Sequence, residues 1–115
     1  MPSFTHLHVH SDYSLLDGLA RIPDLVQTAV ERNFDALALT DHGVMFGAVQ
    51  FVQYAQKAGL KPILGCELYV ATRTRRDRDA QHDRKPYHLT ALAENEVGYR
   101  NLVALVSRAQ LEGFY

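Results

Sequence analysis

Apolar and polar residues alternate at the start of the chain. Over residues 4–10, Phe-Thr-His-Leu-His-Val-His has the two-residue period of a β-strand. Leu7 and Val9 fall on one face, and His6, His8 and His10 on the other. Ser11 to Ala20 breaks the period and reads as a link, with a turn at Asp17-Gly18. From Ile22 the spacing changes. Ile22, Leu25, Val26, Ala29 and Val30 recur as one face of a helix, with Pro23 suited to its first turn and Asn33 to a left-handed stop. Phe34 to Thr40 is a short apolar run, the mark of a strand buried on both faces. Ala48, Phe51, Val52 and Ala55 predict a second helix ending at Gly59, and Lys61 to Val70 a third strand. Residues 72–85 are polar and predict a flexible charged loop. Tyr87 to Ala93 predicts a fourth strand, and Tyr99, Leu102, Val103 and Val106 a last helix ended by Gly113.

The resulting order is β-α-β-α-β-loop-β-α, an α/β fold. Strands that alternate with helices predict a mainly parallel sheet joined by right-handed crossovers, either open or part of a (β/α) barrel. In both, function gathers at the carboxyl ends of the strands. The chain has 115 residues, so this is one small domain at most. Its net charge of −1 gives no sign of bulk attraction to nucleic acid or membrane. No apolar run reaches the roughly 18 residues of a membrane span. The start carries no signal-peptide pattern, and the single cysteine, Cys66, excludes an intrachain disulfide, so the expectation is a cytoplasmic protein.

The candidate chemistry lies where these strands end. His8 and His10 close the first segment, Asp17 lies in the link above it, and His42 follows the second strand. Glu67 follows the apolar start of the third, and His88 lies on the fourth. Four imidazoles and two carboxylates on one rim would repel or stay unsatisfied without cations. Mixed nitrogen and oxygen donors suit Zn, Mn or Fe better than Mg or Ca, and six donors exceed one tetrahedral zinc, so two or more metals are expected. Such a site activates water and clamps phosphate oxygens, the chemistry of a metal-dependent phosphoester hydrolase. Each residue also has a plainer role. Asp17 could cap the turn, Glu67 could pair with an arginine, and His88 could be a satisfied strand histidine. Asp12 and Asp41 are expected to support neighbouring histidines as hydrogen-bond acceptors. His6 lies too early to reach the rim and reads as structural, His82 as solvated, and Cys66 as core on the face opposite Glu67. The basic excess of the 72–85 loop reads as a solvated surface, with phosphate contact as the sharper alternative.

Those residues carry a resemblance. His8-x-His10, Asp17-Gly18, Thr40-Asp41-His42 and Gly65-Cys66-Glu67 resemble the first motifs of the PHP (polymerase and histidinol phosphatase) family. Within it, residues 7–18, 59–67 and 94–102 are similar to the opening of the bacterial DNA polymerase III alpha subunits. The resemblance implies a distorted (β/α)7 barrel with up to three divalent metals, Zn or Mn, on its C-terminal rim. It places His8, His10, Asp17, His42, Glu67 and His88 at ligand positions, with Glu67 bridging two metals. It also implies a parent DNA-directed DNA polymerase (a nucleotidyltransferase of DNA replication), with the remainder of the subunit, DNA and replisome subunits as partners. The rim of the complete domain would have phosphoesterase or 3′–5′ exonuclease chemistry. By the same resemblance the 115 residues span roughly half the barrel and lack its later ligands and the polymerase active site. An inactive, self-associating fragment is therefore expected. The alternatives are a stand-alone PHP phosphatase of the histidinol-phosphatase type and a non-catalytic scaffold.

Overall fold

The computed structural model describes residues 4–113. Its elements are α1 (Ile22–Glu31), β1 (Ala36–Leu39), α2 (Ala48–Ala58), β2 (Lys61–Val70), β3 (Tyr87–Leu92) and α3 (Glu96–Glu112). The three strands form one sheet in the order β1-β2-β3.

The helix ends follow from their residues. α1 closes at Asn33, which takes the left-handed conformation at φ 59°. The N–H of Asn33 then bonds Val30 O, and that of Phe34 bonds Ala29 O, a six-to-one and five-to-two closure. α2 repeats the device with Gly59 at φ 74°, the following Leu60 N–H bonding Ala55 O at 2.9 Å. In both cases the residue after the left-handed one, Phe34 or Leu60, folds back onto the core. α3 opens on Asn95, whose side chain accepts from Gly98 N at 3.0 Å.

The apolar faces of α1 and α2 meet over β1. Ile22, Val26, Ala29, Leu37, Leu39, Phe51, Ala55 and Leu60 form the buried core. All four residues of β1 are buried, as an apolar run flanked by sheet and helix should be. β3 and α3 are different: Leu102 is the one buried residue of α3, and Tyr87, Leu89, Val97, Leu105 and Leu111 are exposed.

Two expectations about the sheet are corrected. Residues 4–10 form no regular strand. The segment runs beside β1, but its bonds fall on His6 O (from Ala38 N) and Val9 O (from Thr40 N). Three residues on one side thus answer two on the other, and the ladder loses register. The alternation breaks at the same place. His6 turns toward Phe34, with ring centroids 5.3 Å apart, while His8 and His10 turn to the rim. Second, β3 pairs with β2 antiparallel, with Tyr69 opposite His88 and Glu67 opposite Thr90, so the sheet is mixed. β1 and β2 are parallel, as expected. The reversal is what puts His88 on the rim. It sits at the start of its strand, and only an antiparallel strand starts where β2 ends.

Candidate metal centre

Glu67 stands at the centre. Its backbone is locked into the sheet beyond the end of β1: Glu67 N donates to Asp41 O (2.9 Å) and Glu67 O accepts from Gly43 N (3.0 Å). This continuation of the parallel ladder lays His42 directly beside Glu67. Gly65 permits the close approach of the strands, because a Cβ there would lie 2.5 Å from Ala91 O and 3.0 Å from Thr40 Cγ2. His88 lies diagonally across the β2–β3 pair on the same face as Glu67.

The incoming segment is held by Thr40 and Asp41. Thr40 Oγ1 accepts from Val9 N at 2.9 Å, replacing the ladder bond that lost register. Asp41 is 1% exposed and accepts from Ser11 N (2.6 Å), Ser11 Oγ (2.8 Å) and Ser14 Oγ (2.8 Å). Ser14 Oγ in turn accepts from His42 N at 3.1 Å. Gly18 closes the link, where a Cβ would overlap Ser11 O at 1.8 Å. These bonds aim Asp17 back at the rim. The expectation that Asp12 and Asp41 accept from histidines is therefore corrected. Asp41 accepts from two serines and, among the described residues, from no histidine, because its burial on the sheet leaves the link as its neighbour. Asp12 is exposed, and no histidine among the described residues donates to it.

The six candidate donors come together. Glu67 Oε2 lies 3.1 Å from His8 Nε2 and 2.6 Å from His10 Nε2, and Oε1 lies 2.9 Å from His88 Nδ1. Asp17 Oδ2 lies 2.8 Å from His42 Nε2 and 3.6 Å from His10 Nδ1. Three overlapping triads result: His8, His10 and Glu67; His10, Asp17 and His42; and His42, Glu67 and His88. In each, the donor atoms lie within 4.8 Å of one another. Glu67 is 6% exposed. Burial raises its pKa, but the hydrogen bonds from His8, His88 and His10 and the field of His42 outweigh burial and hold it at about 2.

The donor set fits cations better than protons. His42 has a carboxylate at each ring nitrogen: Nε2 faces Asp17, and Nδ1 lies 3.2 Å from Glu67 Oε2. A neutral imidazole carries one N–H, so it can satisfy only one of them. His42 Nδ1 is indeed buried without a hydrogen-bond partner. A cation between that lone pair and Glu67 would satisfy both.

Other residues fall outside the cluster. His82 pairs with Asp79 at 3.0 Å on the surface. Cys66 is fully buried, with its thiol against Asp41 O and Val44 O, and burial pushes that thiol up to about 11. The segment 72–85 has no helix or strand but is extensively paired. Arg73 holds Asp83, Arg75 Nε donates to Glu112 at 2.6 Å, and Asp77 accepts from Thr74 N at 2.9 Å.

Sequence reasoning missed Tyr69. Its ring stacks parallel to that of His42 at 6.0 Å and edge-on to that of His88 at 4.9 Å. Burial and the charges of Glu67 and Asp17 push its hydroxyl above the ordinary value. The strand period could have found it, two residues beyond Glu67 on the same face.

A mixed sheet with histidines and carboxylates gathered at its strand ends defines an α/β domain built around a candidate metal centre. Residues 6–115 match the family model for the PHP domain, and the chain belongs to that family. It is 56% identical over 115 residues to DNA polymerase III subunit alpha of Treponema pallidum. The identity is 54% to that of Borreliella burgdorferi and 51% to that of Thermus aquaticus. Those matches take in 97–98% of this chain, which spans about 10% of the length of each relative. Among solved structures, an amidohydrolase from Chromobacterium violaceum matches 90% of this chain with a TM-score of 0.60 at 22% identity. A protein from Bifidobacterium adolescentis, assigned as a metal-dependent phosphoesterase, matches 90% with a TM-score of 0.58 at 20% identity. The chain covers 34% and 33% of those two structures, and the likeness is one of fold.

Proposed function

We propose that this chain forms the PHP portion of a DNA polymerase III alpha subunit, a cytoplasmic DNA-directed DNA polymerase. Its rim would bind two or three divalent cations, Zn or Mn, and support phosphoester hydrolysis of the 3′–5′ exonuclease kind. The observation that carries the metal reading is the convergence of His8, His10, His42 and His88 on one buried carboxylate, with His42 Nδ1 left unpaired. Glu67 offers Oε2 toward His8 and His10 and Oε1 toward His88, so it can serve two neighbouring cations. Asp17 with His10 and His42 supplies a third group. Cations held there would polarise phosphate oxygens and lower the pKa of water. Asp41 and the two serines keep Asp17 in place, and Tyr69 limits the rotation of the His42 and His88 rings. The partners follow from the relatives' length: the remainder of the subunit would cover the apolar surface of β3 and α3, and through it the chain would meet DNA and other replisome subunits.

Elemental analysis of protein prepared without chelator tests this. The expected result is at least about one Zn or Mn per chain, lost on His10→Ala; less than about half a metal per chain removes the reading and leaves a scaffold.

A further inference from the structure

A cavity beneath the 72–85 segment uses none of the six donor residues. It holds about 290 Å³, the small end of ligand pockets. The segment covers one side, β2 and Gly43 a second, and the end of α3 a third. Leu68, Pro86, Val106 and Ala109 give it an apolar lining, with Leu68 and Val106 half-buried. Four charged residues also face it: Arg75, Asp77, Asp83 and Arg84.

Two of those charges are matched by partners of opposite sign. Arg75 lies 2.6 Å from Glu112, and Arg73 holds Asp83. The other two are not matched. Asp77 Oδ2 accepts from Thr74 N at 2.9 Å and Thr74 Oγ1 at 2.7 Å, both neutral donors, and Oδ1 has no partner among the described residues. Arg84 pairs with no carboxylate among the described residues, Asp77 included. One unmatched cation and one unmatched anion thus face the same cavity without meeting each other.

That pairing selects the occupant. A simple anion would satisfy Arg84 but meet the like charge of Asp77, and a simple cation would do the reverse. A zwitterion answers both. An α-carboxylate suits the planar fork of Arg84, and an α-ammonium suits Asp77 Oδ1. The apolar lining then calls for a hydrocarbon side chain, because a polar one would lose water without gaining partners.

We infer that this cavity is a binding site for a free α-amino acid with an apolar side chain. Arg84 takes its carboxylate, Asp77 its ammonium, and Leu68 and Val106 its side chain.

Calorimetry of the 115-residue protein in EDTA tests the inference, because the chelator keeps amino acids from binding through metal at the rim. L-Leucine should bind saturably, one per chain. Glycine lacks the side chain, N-acetyl-L-leucine the ammonium and L-leucinamide the carboxylate. Each should bind at least about tenfold more weakly, the scale of one charge-assisted hydrogen bond or one buried side chain. Arg84→Gln, at an exposed position, and Asp77→Asn, which keeps an oxygen for Thr74, should each lose about tenfold for L-leucine. Arg76→Gln, outside the cavity, should change nothing. No saturable binding of L-leucine overturns the inference. So does equal binding of any of the three analogues, or an Arg84→Gln protein that binds L-leucine unchanged.

Discussion

The rim and the 72–85 segment are both crowded with charge, and each holds a carboxylate at about 2, Glu67 in one and Asp83 in the other. The causes differ. Asp83 is lowered first by its hydrogen bond from Arg73, then by Asp79 N and Thr72 within the same loop. Glu67 is lowered by imidazoles from three other segments, against a burial that opposes it. A guanidinium never gives up its proton, so that pair is already closed to a cation. An imidazole can give up its proton and offer a lone pair. The partner type, more than the shifted pKa, separates a candidate metal site from a surface ion-pair network.

The largest test of that contrast is Glu67→Gln against Asp83→Asn. Glu67→Gln should weaken metal binding by at least the ~100-fold that losing even a supporting partner of a ligand can cost. Asp83→Asn should leave it within about twofold; competition with a coloured chelator reads both. Equal losses would erase the distinction between the two regions.

Next in size is Asp41→Ala. It strands the N–H and hydroxyl of Ser11 and the hydroxyl of Ser14, so urea denaturation should show a loss of about 3 kcal/mol. Arg73→Ala, which removes a half-exposed guanidinium from a carboxylate that Thr72 and Asp79 N still bond, should cost less than that. A loss below about 1 kcal/mol in Asp41→Ala would mean that the link is not anchored there.

The pH response is smaller and shared. The Glu67 pKa is depressed from 4.5 to about 2, so its contribution to stability is present above about 4.5 and lost as pH falls through about 2. Asp83, depressed from 3.8 to about 2, acts in the same direction over a narrower window. Urea melts of chelated protein at pH 5 and pH 3 should show the drop. Glu67→Gln should remove more of it than Asp83→Asn.

The smallest effect is a control. Cys66 is raised to about 11 by burial, so at pH 8 a thiol reagent should leave the folded protein unlabelled and react only on unfolding. Labelling as fast as in urea would mean that β2 is open at this point.

Much of the molecule was legible in residue order. The helix ends at Asn33 and Gly59, the bounds of β2 at Lys61 and Val70, and the six donor residues all follow from local pattern. Periodicity, capping chemistry and side-chain type are properties of neighbouring residues, so a sequence carries them. Three things came from elsewhere in the chain. The extra residue between His6 and Val9 depends on which carbonyls β1 can reach. The direction of β3 depends on how the 72–86 segment returns, and no periodicity encodes that. The role of Asp41 depends on which groups burial leaves beside it, two serines from a segment about 30 residues earlier. Sequence determined which side chains could bind a cation. Tertiary structure decided that they face one carboxylate, because strand register and direction are settled only when separate segments pack.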